Sequence, residues 1–162
     1  KMSLIKNKFM IKSVLLFSVI ALTSAYFVQY ILDHQPCNLC LFERIPYLFA
    51  VILISLTLIL NKYEKIISII LALVFILGSI ISFYHIGIEQ EFFNESFVCE
   101  LSRSKSTNMS ASELLKELEK KTVSCKDVTF TFLGVSLATF NAILSLALSA
   151  IMIRNIINHG KN

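Results

Sequence analysis

Four cysteines carry most of the chemistry that this sequence can offer. Cys37-Asn38-Leu39-Cys40 is a C-x-x-C, in which two thiols can close a small, somewhat strained ring. Disulfides of that kind exchange readily. A helix start and a nearby cation both lower a thiol pKa. Arg44 stands four residues after Cys40, so in a helix Cys37, Cys40 and Arg44 share one face. This spacing predicts Cys40 as a thiolate. The competing readings of the motif are a structural disulfide or half of a zinc site. Zinc asks for four ligands, commonly a second C-x-x-C or paired histidines. Cys99 and Cys125 are too far apart to form such a motif, which favours redox chemistry over metal binding.

Cys99 and Cys125 bracket twenty-five residues. Joined, they would close that loop and constrain it by about 3 kcal/mol in the chain-entropy view. A loop staple and half of a thiol relay are both open, and four cysteines allow three pairings. Arg44 and His85 are the other residues of interest. Each is a polar exception near a membrane boundary, where charge is costly. Both are expected at similar depth near Cys40, offering donors to a flat ligand with two carbonyls. Glu43, beside Arg44, reads as an interfacial anchor.

The elements that must position these groups are membrane spans. Of 162 residues 56% are hydrophobic and only 16% charged, with mean hydropathy +0.72. Crossing about 30 Å of hydrocarbon takes roughly 20 helical residues. Uncharged runs cover Ser13–Leu32, Ile45–Leu60, Ile66–Ile88 and Val128–Ile153. The second, sixteen residues long, reaches only about 24 Å and must draw in part of Leu41–Arg44. The first run is too long for the apolar core of a signal peptide and lacks a good A-x-A site, so it is read as a span. The expected helices are about 11–32, 43–60, 66–88 and 131–154, in one domain over 1–162, with outer loops 33–42 and 89–130. Pro36 stops a helix and Pro46 suits a first turn.

Charge sets the orientation. Lys1, Lys6, Lys8, Lys12, Lys62, Lys65, Arg154 and Lys161 face only Glu64 on one side, a balance of +7. The other side carries seven basic residues and ten acids, a balance of −3. The positive-inside rule then puts both termini in the cytoplasm and all four cysteines outside, where disulfides persist. In the second outer loop, Ser110-Ala111-Ser112-Glu113 has capping-box spacing, and Leu114, Leu115 and Leu118 alternate with charges. A short amphipathic helix is expected there.

The run Cys37-Asn38-Leu39-Cys40-Leu41-Phe42-Glu43-Arg44-Ile45-Pro46-Tyr47 resembles the bacterial disulfide bond formation protein B (DsbB) family, with its C-x-L-C-x-x-E/Q-R signature. Four spans, a second loop with two cysteines and Phe132-Leu133-Gly134 opening the last helix extend the resemblance over nearly the whole chain. The aromatic before that triplet, often Trp in the family, is Phe130 here, and the chain has no Trp. The resemblance implies an all-α membrane protein: a four-transmembrane-helix bundle with a disulfide-containing periplasmic loop and a short amphipathic helix, in the bacterial inner membrane. It implies an oxidoreductase whose catalytic residues are Cys37, Cys40, Cys99 and Cys125. Cys99 and Cys125 would form the disulfide attacked by a reduced DsbA-like periplasmic thiol oxidase of thioredoxin fold. Cys99 would take the mixed disulfide, Cys125 would exchange with Cys37, and Cys40 would face a quinone held by Arg44 and His85. Ubiquinone is the expected quinone, menaquinone the alternative. No metal and no nucleic-acid partner are expected.

Two other classes compete. Vitamin K epoxide reductase-like enzymes also use a C-x-x-C with quinone, but on a later helix. A four-span structural protein with a stapled outer loop would need no turnover. The charge split predicts that impermeant maleimide, applied to reduced intact cells, reaches all four thiols from outside. Labelling of any cysteine only from the cytoplasmic side would contradict this topology.

Overall fold

A computed structural model describes residues 2–60, 63–94, 99, 124–126 and 131–160. The expected amphipathic helix after Ser110, and Phe130, lie outside the described residues. Helix α1 spans Met2–Tyr30, α2 Asn38–Phe42, α3 Ile45–Leu60 and α4 Glu64–Glu89. A two-residue ladder, β1 Thr131–Phe132 with β2 Val135–Ser136, precedes α5 at Leu137–Gly160. Among the described residues four segments are long and apolar enough to cross a membrane: Asn7–Tyr30, Asn38–Leu60, Glu64–Glu89 and Leu137–Asn158. The chain is an all-α, four-span membrane protein.

Boundaries differ from expectation where local chemistry overrides hydropathy. Helix α1 starts well before residue 11, because lysine is a good helix former and does not end the helix. It stops at Tyr30, and Asp33 takes a left-handed φ of 53° ahead of Pro36. The second span reaches its length by drawing in α2, further than the Leu41–Arg44 expected, with a turn at Glu43–Arg44 between α2 and α3. Pro46, lacking an N–H, fits the first turn of α3 at no hydrogen-bonding cost. The last helix does not open at Thr131. Leu133 and Gly134 both have positive φ, 54° and 79°, the signature of a two-residue hairpin turn of type I′. Thr139 N–H then donates to Ser136 Oγ at 3.3 Å, a side-chain cap that starts α5 at Leu137.

The four long helices close a ring in which α1 touches α3 and α5, and α4 touches α3 and α5. The α4–α5 seam is the most extensive. It is built from small residues, with Ser79, Ser82, Ala138, Ala142, Ser145 and Ser149 all buried. Lipid tails are as apolar as leucine, so helices associate in a membrane by close approach and by polar contacts across the seam. Asn155 Nδ2 donates to Ser68 Oγ at 2.9 Å near one end of this seam, and Asn141 Nδ2 to Ser82 Oγ at 2.6 Å towards the other. The apolar core gathers Val14, Tyr47, Ile54, Leu71, Phe75 and Met152, with Tyr47 edge-on to Phe75 at 5.8 Å. Large apolar side chains such as Ile59, Leu77, Ile80 and Phe83 point outward, as a bilayer requires.

Gly78 lets α3 and α4 meet. A Cβ there would stand 2.9 Å from Pro46 Cγ, and the proline ring is tied to its own backbone and cannot swing away. Gly78→Val is therefore expected to destabilise the bundle by about 1–3 kcal/mol, as overpacking does. Thermal unfolding of the purified protein in detergent measures this, and an unchanged midpoint would contradict the close approach.

Candidate functional site

Pro36 follows the turn that ends α1, and Cys37, with extended backbone, becomes the N-cap of α2. In place of the usual hydroxyl or carboxylate, a sulfur accepts the free amide: Cys40 N–H donates to Cys37 Sγ at 3.3 Å. The two sulfurs face each other at 2.7 Å. The motif sits at a helix start, as its sequence suggested, and the cap itself brings the thiols together.

Glu43 and Arg44 follow at the turn between α2 and α3 and reach different partners. Arg44 turns to α1, where its Nη1 donates to Gln29 Oε1 at 2.6 Å and its guanidinium lies 5.2 Å from the Tyr26 ring centre. Glu43 turns into the bundle and is 7% exposed. His85, 2% exposed, comes from the last turns of α4. Its Nδ1–H donates to Glu43 Oε1 at 3.0 Å. That leaves Nε2 directed at Cys37 Sγ, 3.6 Å away. Glu89, one turn further along α4, stands 3.9 Å from Nε2, beyond hydrogen-bonding range.

Cys99 and Cys125 are joined as a disulfide, with Cα atoms 6.0 Å apart, which selects one of the three possible pairings. Cys125 is buried in a cluster with Cys37, Leu39 and Ile88, and Cys40, Cys99, Ile81 and Tyr84 pack against it. All four cysteines therefore meet in one place. At the end of α4 the chain doubles back, with the Phe92 and Phe93 amides both donating to Gly87 O. The Phe93 ring lies where a Cβ on Gly87 would stand and stacks on Tyr84 at 5.6 Å. Beyond this reversal, Cys99 packs against the thiol cluster.

A cavity of about 970 Å³ opens between α1, α3 and α5. Cys40, Glu43, Arg44, Gln29, Tyr47 and Asn141 are among its polar lining residues, with His34 also in the lining, and most of its wall is apolar, including Phe17, Ile20 and Phe140. Small-molecule sites are of this size and character. The residues fit a flat ring carrying hydrogen-bond acceptors with a long apolar tail. Neither Cys37 nor His85 is among the residues that line it. His85, expected to hold one ligand with Arg44, has a ring nitrogen within 4.8 Å of the sulfurs of both Cys37 and Cys40.

Arg44, expected to hold Cys40 as a thiolate, is itself engaged by Gln29 and Tyr26. The thiol held below its ordinary range is Cys37. The Cys40 side chain hydrogen-bonded to it is the largest cause; burial opposes the shift, while His85 and the Cys40 amide reinforce it. Cys37, Cys40 and His85 could offer a metal three ligand atoms within 4.8 Å of one another. Zinc takes four, one more than these three residues offer.

Sequence reasoning missed Tyr47, Asn141 and the inward role of Glu43. The Tyr47 hydroxyl donates to Asn141 Oδ1 and lies 3.0 Å from Ser145 Oγ. Asn141 had a readable signal: an amide within an apolar span is a functional candidate by default. Glu43 had none, because which of two adjacent charges turns inward depends on the turn between α2 and α3.

The chain matches the family Disulfide bond formation protein DsbB over residues 7–154. It is also 35% identical over 137 residues to the uncharacterized protein RP370 of Rickettsia prowazekii (strain Madrid E), covering 81% of this chain and 77% of that one. No solved structure matches it. With its C-x-x-C at the start of a span, a disulfide packed against it and a four-span bundle around both, the chain belongs to the DsbB family of disulfide bond formation proteins, as a multi-pass membrane oxidoreductase.

Proposed function

We propose that this protein reoxidises a DsbA-like periplasmic thiol oxidase and passes the electrons, through Cys99–Cys125 and then Cys37–Cys40, to a membrane quinone, ubiquinone or alternatively menaquinone. It works in the bacterial inner membrane with both termini cytoplasmic and the cysteines periplasmic. The observation that carries the reading is the placing of the sulfurs. Cys37 packs in one cluster with Cys125, whereas Cys40 lines the cavity.

Those positions support one order of exchange. A partner thiolate attacks Cys99 and displaces Cys125. Cys125 attacks Cys37, which is buried in the same cluster, and Cys40 leaves as the free thiolate at the cavity wall. When bound, the quinone supplies an acceptor of two electrons and two protons. Arg44 orients it by charge-assisted hydrogen bonding from the α1 side, while Cys40 presents its sulfur. Tyr47 and Asn141 complete the polar lining. His85 acts from the interior, on Cys37. The partner leaves with its disulfide formed, and both internal pairs end the cycle closed.

Quinone-dependent oxidation of a reduced thioredoxin-fold protein by the purified chain tests the reading. Arg44→Ala should raise the apparent quinone KM by about 10- to 100-fold, equivalent to the roughly 1.5–3 kcal/mol of one hydrogen bond to a charged group, with partner binding little changed. Unchanged quinone kinetics would remove the ligand from this cavity. Cys125→Ser lacks the resolving thiol and should accumulate a mixed disulfide to the partner at Cys99. Mapping of the trapped adduct to Cys37 or Cys40 would reverse the proposed order of electron flow.

A further inference from the structure

Closing the Cys37–Cys40 disulfide from two thiols releases two electrons and two protons, and quinone reduction consumes both. The Cys40 proton sits on a sulfur that lines the cavity. The Cys37 proton does not. Cys37 is 4% exposed and lies behind its partner, away from the cavity lining. Its route to the ligand has to run through side chains, because surroundings this buried leave little room for water.

We propose that Glu43 is that route: it receives, through His85, the proton given up by Cys37 and releases it into the cavity to the quinone oxygen. The inference rests on the quinone reading above. Its basis is that Glu43 both hydrogen-bonds His85 and lines the cavity. The path has two links. Cys37 Sγ gives its proton to His85 Nε2, 3.6 Å away. His85 gives its Nδ1 proton to Glu43 Oε1, 3.0 Å away. A carboxyl group can then hold the proton and pass it on. Imidazole suits the middle place because it can take a proton at one nitrogen and release one from the other.

The neighbouring groups do not offer a substitute. Arg44 cannot give up a proton and is bound to Gln29. Tyr47 lines the cavity, but its hydroxyl is directed to Asn141 and Ser145. Glu89 stands 3.9 Å from His85 Nε2, on the nitrogen that faces Cys37, and is not among the cavity-lining residues. Cys40 faces Cys37 directly, but its own proton already has access to the cavity.

The test uses the full chain and two measurements. In stopped-flow mixing of the fully reduced protein with a soluble quinone, Glu43→Gln should slow quinol formation by about a hundredfold, the usual scale of a lost acid–base group. Thiol exchange with the reduced partner at Cys99 should keep its rate. Glu43→Asp, which keeps a carboxyl, should recover part of the loss. The second measurement needs no quinone. In a Cys40→Ser background with Cys99–Cys125 intact, Cys37 is the one free thiol, and its thiolate absorbance is followed against pH. The carboxylate supports the imidazolium, which in turn supports the thiolate, so adding Glu43→Gln should move the transition to higher pH. Wild-type quinol formation in Glu43→Gln, or an unmoved thiolate transition, would overturn the relay while leaving the quinone reading intact. A wild-type chain that reduces no quinone would overturn the quinone reading and the relay with it.

Discussion

The hydrogen bond between Glu43 and His85 is the constraint on which the site depends. It joins the start of α3 to the end of α4 inside a medium where an unpaired carboxylate or imidazole would be severely penalised. Successive residues in a helical turn are rotated by about 100°. With Glu43 committed inward, Arg44 is forced round toward α1, where Gln29 and Tyr26 receive it. Two adjacent charges thus fasten one turn to both neighbouring helices. The cysteine pair, immediately before them, is held in register with the cavity and with His85.

The same logic explains the polar seam. Asn141 meets Tyr47 and Ser82, and Asn155 meets Ser68, so side-chain amides on α5 reach partners on α3 and α4. In hydrocarbon such bonds are worth only about 0.6 kcal/mol on average. Their larger effect is on register. A helix that slid or rotated would leave an amide unsatisfied, so the seam fixes where α5 presents Asn141 to the cavity. Gly78 against Pro46 does for α3 and α4 what small residues do for α4 and α5: it permits the approach that makes these bonds possible.

Much of this was legible in the sequence. The four spans follow from uncharged runs, and the C-x-x-C at a helix start follows from Pro36, Cys37 and the apolar run after Arg44. What remained unread depended on direction. Glu43 and Arg44 are equivalent in a hydropathy profile, and only the turn between α2 and α3 separates them. His85 could be placed in depth from its position on α4, but not in azimuth, and azimuth decides whether it meets the cavity or Cys37. The Leu133-Gly134 turn was hidden by an apolar stretch that continues through it. Hydropathy cannot distinguish a hairpin from a helix there, whereas paired positive φ values can. The pairing of Cys99 with Cys125 required the fold, since spacing alone left three choices.

The two thiols of the C-x-x-C differ because a helix start is asymmetric. The N-cap sulfur of Cys37 precedes the helix and receives an amide hydrogen from Cys40, together with the facing His85. It is drawn into the interior and into contact with the second disulfide. The sulfur of Cys40, one turn on, projects from the helix side that faces α1 and the cavity. Three residues of separation therefore convert a chemically symmetric pair into an inner thiol suited to exchange and an outer thiol suited to a ligand. A C-x-x-C placed within a span, rather than at its first turn, would lack the free amide that separates the two environments. The helix boundary at Cys37 is thus as much a part of the site as the sulfurs themselves.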